Sequence, residues 1–241
     1  MHCEQTEFIH WARHIVCPNW RGDEKVLEIG SYNVNGSIRP AFDVSRGGEY
    51  VGVDLLPGPD VDRVVPGENA DYADGYFDVA VSCECFEHNP KWLETFLNMH
   101  RMTKDNGCIL MTCASSGRRE HGTSRTTWCR HDSPGTQTMW GDYYKNLTAE
   151  DFEESVKLGE LFSDFRFYYH AGTKDLYFVG VKGGGEGGMI DKPVLDHVVC
   201  STKIPPSLSG TKPRHYLWKI RRMFRYYAFG CRRAHPTGKS A

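Results

Sequence analysis

The sequence has no run of 18 consecutive apolar residues, the length at which a helix becomes a candidate for spanning a membrane. It has Glu4 and Glu7 near its start, where a secretory signal peptide is apolar. Its nine cysteines are an odd number and show no paired zinc-type spacing. These absences argue against secretion, membrane spanning and a metal site, and they predict a cytoplasmic protein with reduced thiols.

Acidic residues are missing from the last part of the chain. Residues 212–241 contain nine bases and no acid, which leaves 20 bases and 31 acids in residues 1–211, a net charge of −11. In the tail, Leu217, Ile220 and Phe224 follow a helical spacing among arginines, which predicts a basic amphipathic helix. Such a helix could lie on an anionic membrane surface, making the protein peripheral to a membrane. It could also follow the phosphates of a nucleic acid or dock on the acidic body, and the sequence leaves these interpretations open.

Two apolar segments near the N-terminus end in residues suited to binding a nucleoside. Residues 25–30 predict a buried strand that ends at Gly30, and a turn-rich loop runs from there to Gly36. A second predicted strand, over roughly 49–54, ends in Asp54. In a parallel α/β sheet this order builds a nucleoside site, because the loop backbone approaches the ligand and the acid binds the ribose diol.

The chain up to residue 182 contains further helical and strand patterns. Helices are predicted at 4–16, from 37, at 89–103 and from Thr148, and strands at 61–65, 76–83, 108–113, 165–169 and 176–181. Only six residues separate the second and third strands, so a crossover helix has no room and the third strand is predicted to be a short edge strand. The glycine-rich segment 183–188 predicts a linker between a domain at 1–182 and the tail at 189–241.

Finer expectations concern the core, the turns and one long loop. The apolar residues predicted to face the core are Phe8, Trp11, Ala12 and Ile15 of the first helix, and Trp92, Leu93, Phe96 and Leu97 of the helix at 89–103. Asn89 is predicted to cap that helix, and residues 105–107 to form a turn. The helix capped by Thr148 is predicted to contain Phe152, Val156 and Leu161. Residues 114–142 form a long polar loop with His121, Trp128, His131 and Trp140, and such loops are usually functional.

These units, in this order, resemble the class I S-adenosylmethionine-dependent methyltransferases, in particular the UbiE-like small-molecule branch. The resemblance covers about residues 20–182. It implies an α/β fold with a doubly wound, mostly parallel seven-stranded sheet and a C-terminal antiparallel hairpin, which is a Rossmann-like methyltransferase fold. The short spacing after strand two departs from the family pattern, because it leaves no room for the usual helix there. It also implies S-adenosylmethionine as the cofactor. One departure is that only Gly30 and Gly36 remain of the usual Gly-x-Gly-x-Gly.

The resemblance also implies roles for individual residues. Glu28 and the glycine loop would hold the methionine part of the cofactor, Asp54 the ribose hydroxyls, and Glu68 or Asp71 the adenine amino group. The full predicted cofactor site is Glu28, Gly30, Ser31, Gly36, Asp54, Leu55, Glu68 and Cys83. An alternative for Glu28 is an acid that caps or packs at the end of its strand.

His88 and His121 are the candidate general bases, because an imidazole titrates near neutral pH. The alternative for His88 is a residue at a helix start that hydrogen-bonds to the backbone. Three arginines near His121 could grip a carboxylate or phosphate of the acceptor, or could belong to a solvated loop; they are Arg118, Arg119 and Arg125.

The sequence therefore predicts methyl transfer to a small-molecule or glycan-linked acceptor, most readily at oxygen. Two alternatives remain, a nucleic-acid methyltransferase suggested by the tail and a cofactor-binding scaffold without turnover suggested by the reduced glycine loop. No Asn-Pro-Pro-Tyr motif follows the fourth strand, which disfavours methylation of exocyclic amines in DNA. No proline precedes Cys83, so this strand-end cysteine is more simply explained by burial than as the nucleophile of a carbon-5 pyrimidine methyltransferase.

Overall fold

The structure is a computed structural model, and it describes residues 3–126, 133–183, 190–191, 193 and 195–196. Its seven strands form one sheet in the order β3-β2-β1-β4-β5-β7-β6. The strands are β1 Lys25–Ile29, β2 Glu49–Asp54, β3 Arg63–Val64, β4 Phe77–Cys83, β5 Thr103–Ala114, β6 Phe162–His170 and β7 Asp175–Lys182. The first five are parallel, and β7 lies antiparallel between β5 and β6. The predicted fold, with its terminal antiparallel pair, is confirmed.

The helices are short, and they lie between strands or before the first one. They are α1 Cys3–Val16, α2 Trp92–Met102, α3 Pro134–Met139, α4 Ala149–Ser155 and α5 Leu158–Leu161. No helix lies between β2 and β3, as the six-residue spacing predicts, and β3 is an exposed edge strand of two residues. Within the described ranges, none of the helices has both the length and the apolar character that crossing a membrane requires.

Apolar side chains cover both faces of the sheet. On one face, Phe77 of β4 and Phe178 of β7 are fully buried in the same cluster as Phe96 of α2 and Phe152 of α4. On the other, Phe8 of α1 stacks on Tyr177 at a centroid distance of 4.6 Å. Complete burial of side chains of this size contributes about 1.5–3 kcal/mol each. These two layers hold the sheet rigid, so its carboxyl edge is a fixed platform.

The order of the strands reverses between β1 and β4. The chain places β2 and β3 on one side of β1, and β4 and β5 on the other. In open α/β sheets the crevice at such a point, outside the carboxyl ends of the strands, is where ligands bind. The loops after β1, β2, β4 and β5 therefore surround the expected site.

Several predicted helix boundaries are wrong. The helix expected from residue 37 is a single 3-10 turn at Arg39–Ala41. Asn89 does not cap α2, because a 3-10 turn at Phe86–His88 precedes it and Asn89 Oδ1 accepts from the Lys91 amide before the helix begins at Trp92. Leu97 is 37% exposed rather than buried.

The later elements also differ from the predicted ones. Residues 105–107 lie within β5 as a local irregularity, where its register with β4 shifts and Asn106 has a φ of 62°. The 114–142 segment contains α3, which the sequence did not predict. The Thr148 cap is present, and the Thr148 amide donates to the Asp151 carboxylate in a capping box. However, α4 ends at Ser155, and Leu161 belongs to α5.

The core face of α1 is rotated from the predicted stripe. Phe8 and Ala12 are buried as expected, and so is Ile9, whereas Trp11 and Ile15 are only partly buried. The tail helix, most of the 183–188 linker, Trp128 and His131 lie outside the described residues. What the sequence predicts for those segments remains a prediction.

Candidate active site

The loop after β1 packs tightly against its neighbours. The amides of Gly30 and Ser31 both donate to the Val53 carbonyl oxygen, at 2.9 and 3.1 Å. Gly30 has a φ of 79°, and a Cβ there would lie 2.6 Å from the Cβ of Cys85. Only glycine fits this position without strain or overlap. The loop backbone is thereby held against the end of β2.

Asp54, at the end of β2, organises the backbone around it. Its Oδ2 accepts from the Tyr32 amide at 3.0 Å, and its Oδ1 accepts from the Leu55 amide at 2.6 Å. Burial raises the pKa of Asp54, and these backbone hydrogen bonds oppose the shift. Each carboxylate oxygen can accept a further hydrogen bond, so a ribose diol can bind without displacing either amide.

Glu28, within β1, is 2% exposed. Its Oε2 accepts from the Tyr50 hydroxyl at 2.7 Å. Burial raises the pKa of Glu28 to about 7, and the Tyr50 hydrogen bond lowers it by less. The carboxyl is therefore partly protonated near neutral pH, and a cationic group beside it would favour the charged form.

A cavity of about 600 Å³ opens at the reversal between β1 and β4. Seven of the eight predicted cofactor residues line it, namely Glu28, Gly30, Ser31, Gly36, Asp54, Leu55 and Cys83. Glu68 does not line it, although Gly67 does, and Asp71 forms an exposed ion pair with Arg63 instead. The buried Ser31 hydroxyl has no hydrogen-bond partner among the described residues. The volume and this unpaired hydroxyl fit a nucleoside cofactor.

A second group of residues follows the end of β4, where His88 lines the cavity and Glu87 is buried next to it in the chain. Glu87 is 0% exposed, and neither of its carboxylate oxygens makes a hydrogen bond of normal geometry within the part of the chain described. Burial raises its pKa to about 7, although nearby backbone amides oppose the shift. His88 is 4% exposed, and burial followed by the proximity of His121 lowers its pKa to about 3. His88 is consequently a weak base.

His121 approaches the same point from the 114–142 segment. Its ring centroid lies 5.0 Å from that of His88, and its Nε2 lies 3.6 Å from Oε1 of Glu87. Its Nδ1 contacts the Arg119 carbonyl oxygen at 3.2 Å and the Tyr144 hydroxyl at 3.1 Å. The structure thus brings the two predicted catalytic histidines together.

The three loop arginines have different surroundings. Arg118 donates to the Thr173 carbonyl oxygen at 2.7 Å and lies 3.6 Å from the buried Asp175 carboxylate, so it ties the loop to the β6–β7 turn. Arg119 lines the cavity. Arg125 is paired with Glu120 at 2.7 Å and does not line the cavity.

Sequence reasoning missed the acids at this end of the cavity. The sequence predicts no role for Glu84, Glu87 or Asp175. Burial and neighbouring acids raise the pKa of Glu84 well above its usual value, and its φ is 51°. The signal that could have found them is two acids, at 84 and 87, directly after an apolar strand, where side chains face the ligand edge.

Comparison with known proteins identifies the family. The family model described as a methyltransferase domain matches residues 15–150, more than half of the chain. The chain belongs to this methyltransferase family. Its cofactor is S-adenosylmethionine, and the cavity at the β1–β4 reversal holds the residues that fit it. No curated protein sequence matches the methyltransferase chain.

Solved structures agree on the fold. A 1,6-didemethyltoxoflavin-N1-methyltransferase from Burkholderia thailandensis, with 1,6-didemethyltoxoflavin and S-adenosylhomocysteine bound, is 16% identical, with a TM-score of 0.50 over 76% of this chain and 80% of that chain. The YcgJ protein of Bacillus subtilis is 11% identical, with a TM-score of 0.51 over 76% of this chain and 100% of that chain. At these identities the similarity concerns the fold of the methyltransferase and not its acceptor.

Proposed function

We propose that this methyltransferase transfers the methyl group to an oxygen atom of a small-molecule or glycan-linked acceptor. The observation that carries the proposal is the buried pair of Glu87 and His121, with Nε2 and Oε1 3.6 Å apart, of which His121 lines the cofactor cavity. A hydroxyl attacks carbon well only as its proton leaves, whereas an unprotonated amine needs no base for the attack itself. A buried basic group beside the cavity therefore favours a hydroxyl acceptor.

The cofactor would be held on the β1–β2 side of the cavity. The Gly30 backbone and Glu28 would hold its methionine part, and Asp54 would bind the ribose hydroxyls. When bound, S-adenosylmethionine supplies an electrophilic methyl group on a sulfonium. The remaining task of the protein is to align the acceptor with that methyl and to exclude water.

His121 suits the basic role better than His88. Since the pKa of His88 is lowered to about 3, that ring takes up a proton poorly near neutral pH. The Arg119 carbonyl oxygen orients the Nδ1 side of His121, which leaves Nε2 on the side of Glu87. Together, this imidazole and this carboxylate can accept the proton that an acceptor hydroxyl releases.

The size and charge of the cavity bear on the acceptor. About 600 Å³ has to hold the cofactor and the reacting part of the acceptor, so only a small group can enter fully. Arg119 and Lys174 line the same cavity and bring positive charge. These features support an acceptor that presents one hydroxyl and carries an acidic group, such as a uronic or hydroxy acid.

The acceptor class is tested by measuring release of S-adenosylhomocysteine with matched compounds that differ only in the nucleophile, an alcohol or phenol, an amine, or a thiol. We expect turnover with a hydroxyl compound and a loss of about 10²- to 10⁴-fold in kcat for His121→Gln. Turnover with amines alone would contradict the proposal. Cofactor binding without turnover across the whole panel would favour the scaffold alternative.

The cofactor assignment has its own test in isothermal titration. Asp54→Ala should weaken binding of S-adenosylmethionine by about 10- to 100-fold, because the ribose loses an acceptor for charge-assisted hydrogen bonds. Asp74→Asn is the matched control, since Asp74 is an exposed acid paired with Arg101 away from the cavity. Equal affinities in the wild type and Asp54→Ala would show that the ribose binds elsewhere.

A further inference from the structure

Three buried side chains at the wall of the cavity are arranged as potential metal ligands. Glu87, His88 and His121 each offer one ligand atom, and these atoms all lie within 4.8 Å of one another. Neither oxygen of Glu87 makes a hydrogen bond of normal geometry with the residues the structure describes, and neither does Nδ1 of His88. Buried polar atoms in folded proteins are almost always paired. The cluster is therefore one partner short.

The surroundings of His121 indicate what that partner is. A carbonyl oxygen can only accept and a hydroxyl can accept as well as donate, so the contacts of Nδ1 with the Arg119 carbonyl at 3.2 Å and the Tyr144 hydroxyl at 3.1 Å both allow a proton on Nδ1 of the neutral ring. Nε2 then carries a lone pair and faces Oε1 of Glu87 across 3.6 Å. This distance is too long for a hydrogen bond. A cation between these two electron-pair donors would be bound by both.

The spacing and the ligand types suit a transition metal. Ligand atoms bonded to Zn²⁺ at about 2.0–2.1 Å in a tetrahedron lie about 3.3 Å apart, close to the separation of Nε2 and Oε1. Two imidazoles and one carboxylate are the protein ligands of catalytic zinc sites and of many non-haem iron sites. The contact of Nδ1 of His121 with a backbone carbonyl is the usual outer support of a metal-bound histidine.

The charge around the cluster also favours a cation. The carboxyls of Glu84 and Asp175 lie near enough to Glu87 to affect its ionisation or be affected by it. The Arg118 guanidinium acts on all three carboxyls, but it is held at the β6–β7 turn by Thr173 and Asp175. Among the described residues, Arg118 is the arginine that acts on these three buried acids, and a divalent ion would add the positive charge that they lack.

We propose that Glu87, His88 and His121 bind one divalent transition-metal ion, most readily Zn²⁺, and that an open coordination position on the ion faces the cavity. His88 and His121 line that cavity, so a small molecule can reach the ion. Three protein ligands with a fourth position open are characteristic of catalytic rather than structural zinc. The sequence did not suggest the site, because His121 is 33 residues beyond His88 and no cysteine takes part.

The open position gives the acceptor oxygen a place to bind, an extension that rests on the proposed function. With the ion bound, His121 is a metal ligand and no longer the base. A hydroxyl on the ion then loses its proton to water more readily, because the cation stabilises the negative oxygen. An oxygen lone pair then forms the C–O bond to the methyl carbon. The C–S bond breaks with its electrons remaining on sulfur, so S-adenosylhomocysteine, the methyl ether and one proton are the products.

The test uses the full chain, freed of metal by a chelator and then titrated with Co²⁺ without cofactor or acceptor. We expect one equivalent to bind, with the visible absorption of Co²⁺ in a site of low coordination number. Glu87→Gln and His121→Gln should each weaken this binding by more than about tenfold, the lower end of what outer-shell changes alone produce. The control is His14→Gln, because His10 and His14 lie one turn apart on α1, 4.6 Å between ring centroids, and are a rival histidine pair.

Thermal unfolding provides the second measurement. Zn²⁺ should raise the Tm of the wild type and of His14→Gln but not that of Glu87→Gln, because only binding to the folded state stabilises it. Co²⁺ binding that survives in Glu87→Gln, or that disappears in His14→Gln, would overturn the proposal. The readout is independent of the acceptor: metal binding without methylation of any hydroxyl upholds the site and defeats the proposed function. If the chelator-treated protein binds no Co²⁺ and still methylates a hydroxyl at the full rate, the proposed function is upheld and the metal site is refuted.

Discussion

The carboxylates on the two sides of the cavity differ in the hydrogen bonds that they accept. On the β1–β2 side, the Asp54 oxygens accept from the amides of Tyr32 and Leu55, and Glu28 accepts from the Tyr50 hydroxyl. On the β4–β5 side, neither oxygen of the equally enclosed Glu87 accepts a hydrogen bond of normal geometry from the described residues. Both carboxylates named on the first side are hydrogen-bonded within the folded protein, whereas Glu87 on the second side is left without such a bond among the described residues.

This difference separates what the two sides do. Carboxylates that are already hydrogen-bonded to the protein keep a fixed position. Such a rigid site suits a cofactor, because the cofactor has the same shape in every turnover. Unpaired groups cost stability in the free protein and are kept where they act on a ligand or ion. The comparison therefore predicts opposite responses of the two sides to mutation.

The largest expected effect tests how tightly the β1–β2 side is built. Gly30→Ala should lower the free energy of unfolding by about 3 kcal/mol, because it adds left-handed backbone strain to an overlap with Cys85. Gly47→Ala is the matched control, since Gly47 also has a positive φ, of 96°, but no atom lies within 4 Å of its added Cβ. It should cost about 1–2 kcal/mol. Urea unfolding measures both, and equal losses would mean that the loop is not closely packed.

The pH dependence of the free energy of unfolding tests whether burial of the charged Glu28 carboxylate destabilises the folded protein. Because its pKa is raised from 4.5 to about 7, the folded state keeps a proton that the unfolded chain has lost. Stability contributed by this proton is full below the unfolded pKa and is lost as the pH rises to about 7, by up to about 3 kcal/mol. Glu87 and Asp175 titrate in the same range, so the measured quantity is the difference between wild type and Glu28→Gln in urea unfolding. Parallel pH profiles would contradict the expectation.

A matched pair of isosteric changes tests the comparison itself. In chelator-treated protein, Asp54→Asn should lower the free energy of unfolding by about 1–2 kcal/mol, because the charged acceptor of two amides is lost. Glu87→Gln should raise it by about 1–2 kcal/mol, because an uncompensated buried acid becomes a neutral amide. Thermal and urea unfolding measure both signs. Two changes of the same sign would show that the two sides do not differ in this way.

The smallest expected effect concerns Tyr144, whose hydroxyl lies 3.1 Å from Nδ1 of His121. Tyr144→Phe should change the free energy of unfolding by less than about 1 kcal/mol. It should still weaken Co²⁺ binding by about threefold, less than most outer-shell changes, because the Arg119 carbonyl continues to hold the ring. Tyr143→Phe is the neighbouring control. Equal Co²⁺ affinities in all three proteins would show that Tyr144 does not position His121.

The sequence predicts the β1–β2 side well because its signals are local. β1 and β2 have the expected bounds within one residue, and Asp54 lies at the strand end where it can face the cavity. The β4–β5 side depends on long-range contacts. Glu87, His121 and Tyr144 come from distant positions, and no spacing in the sequence indicates that they meet. The sequence also did not predict the lengths of the helices. Pro40 and its neighbours are compatible with a helix, but the chain forms only a single 3-10 turn there before β2.

The position of β7 has a consequence for how the protein is made. This strand is synthesised last among the seven, yet it is inserted between β5 and β6. Its first residue, Asp175, accepts from Gln5 of α1 at 2.5 Å and lies beside Arg118. A nascent chain therefore cannot close its sheet or fix Arg118 until the segment up to Lys182 has left the ribosome. During translation, the β4–β5 side of the cavity is therefore the last part of the enzyme to assemble.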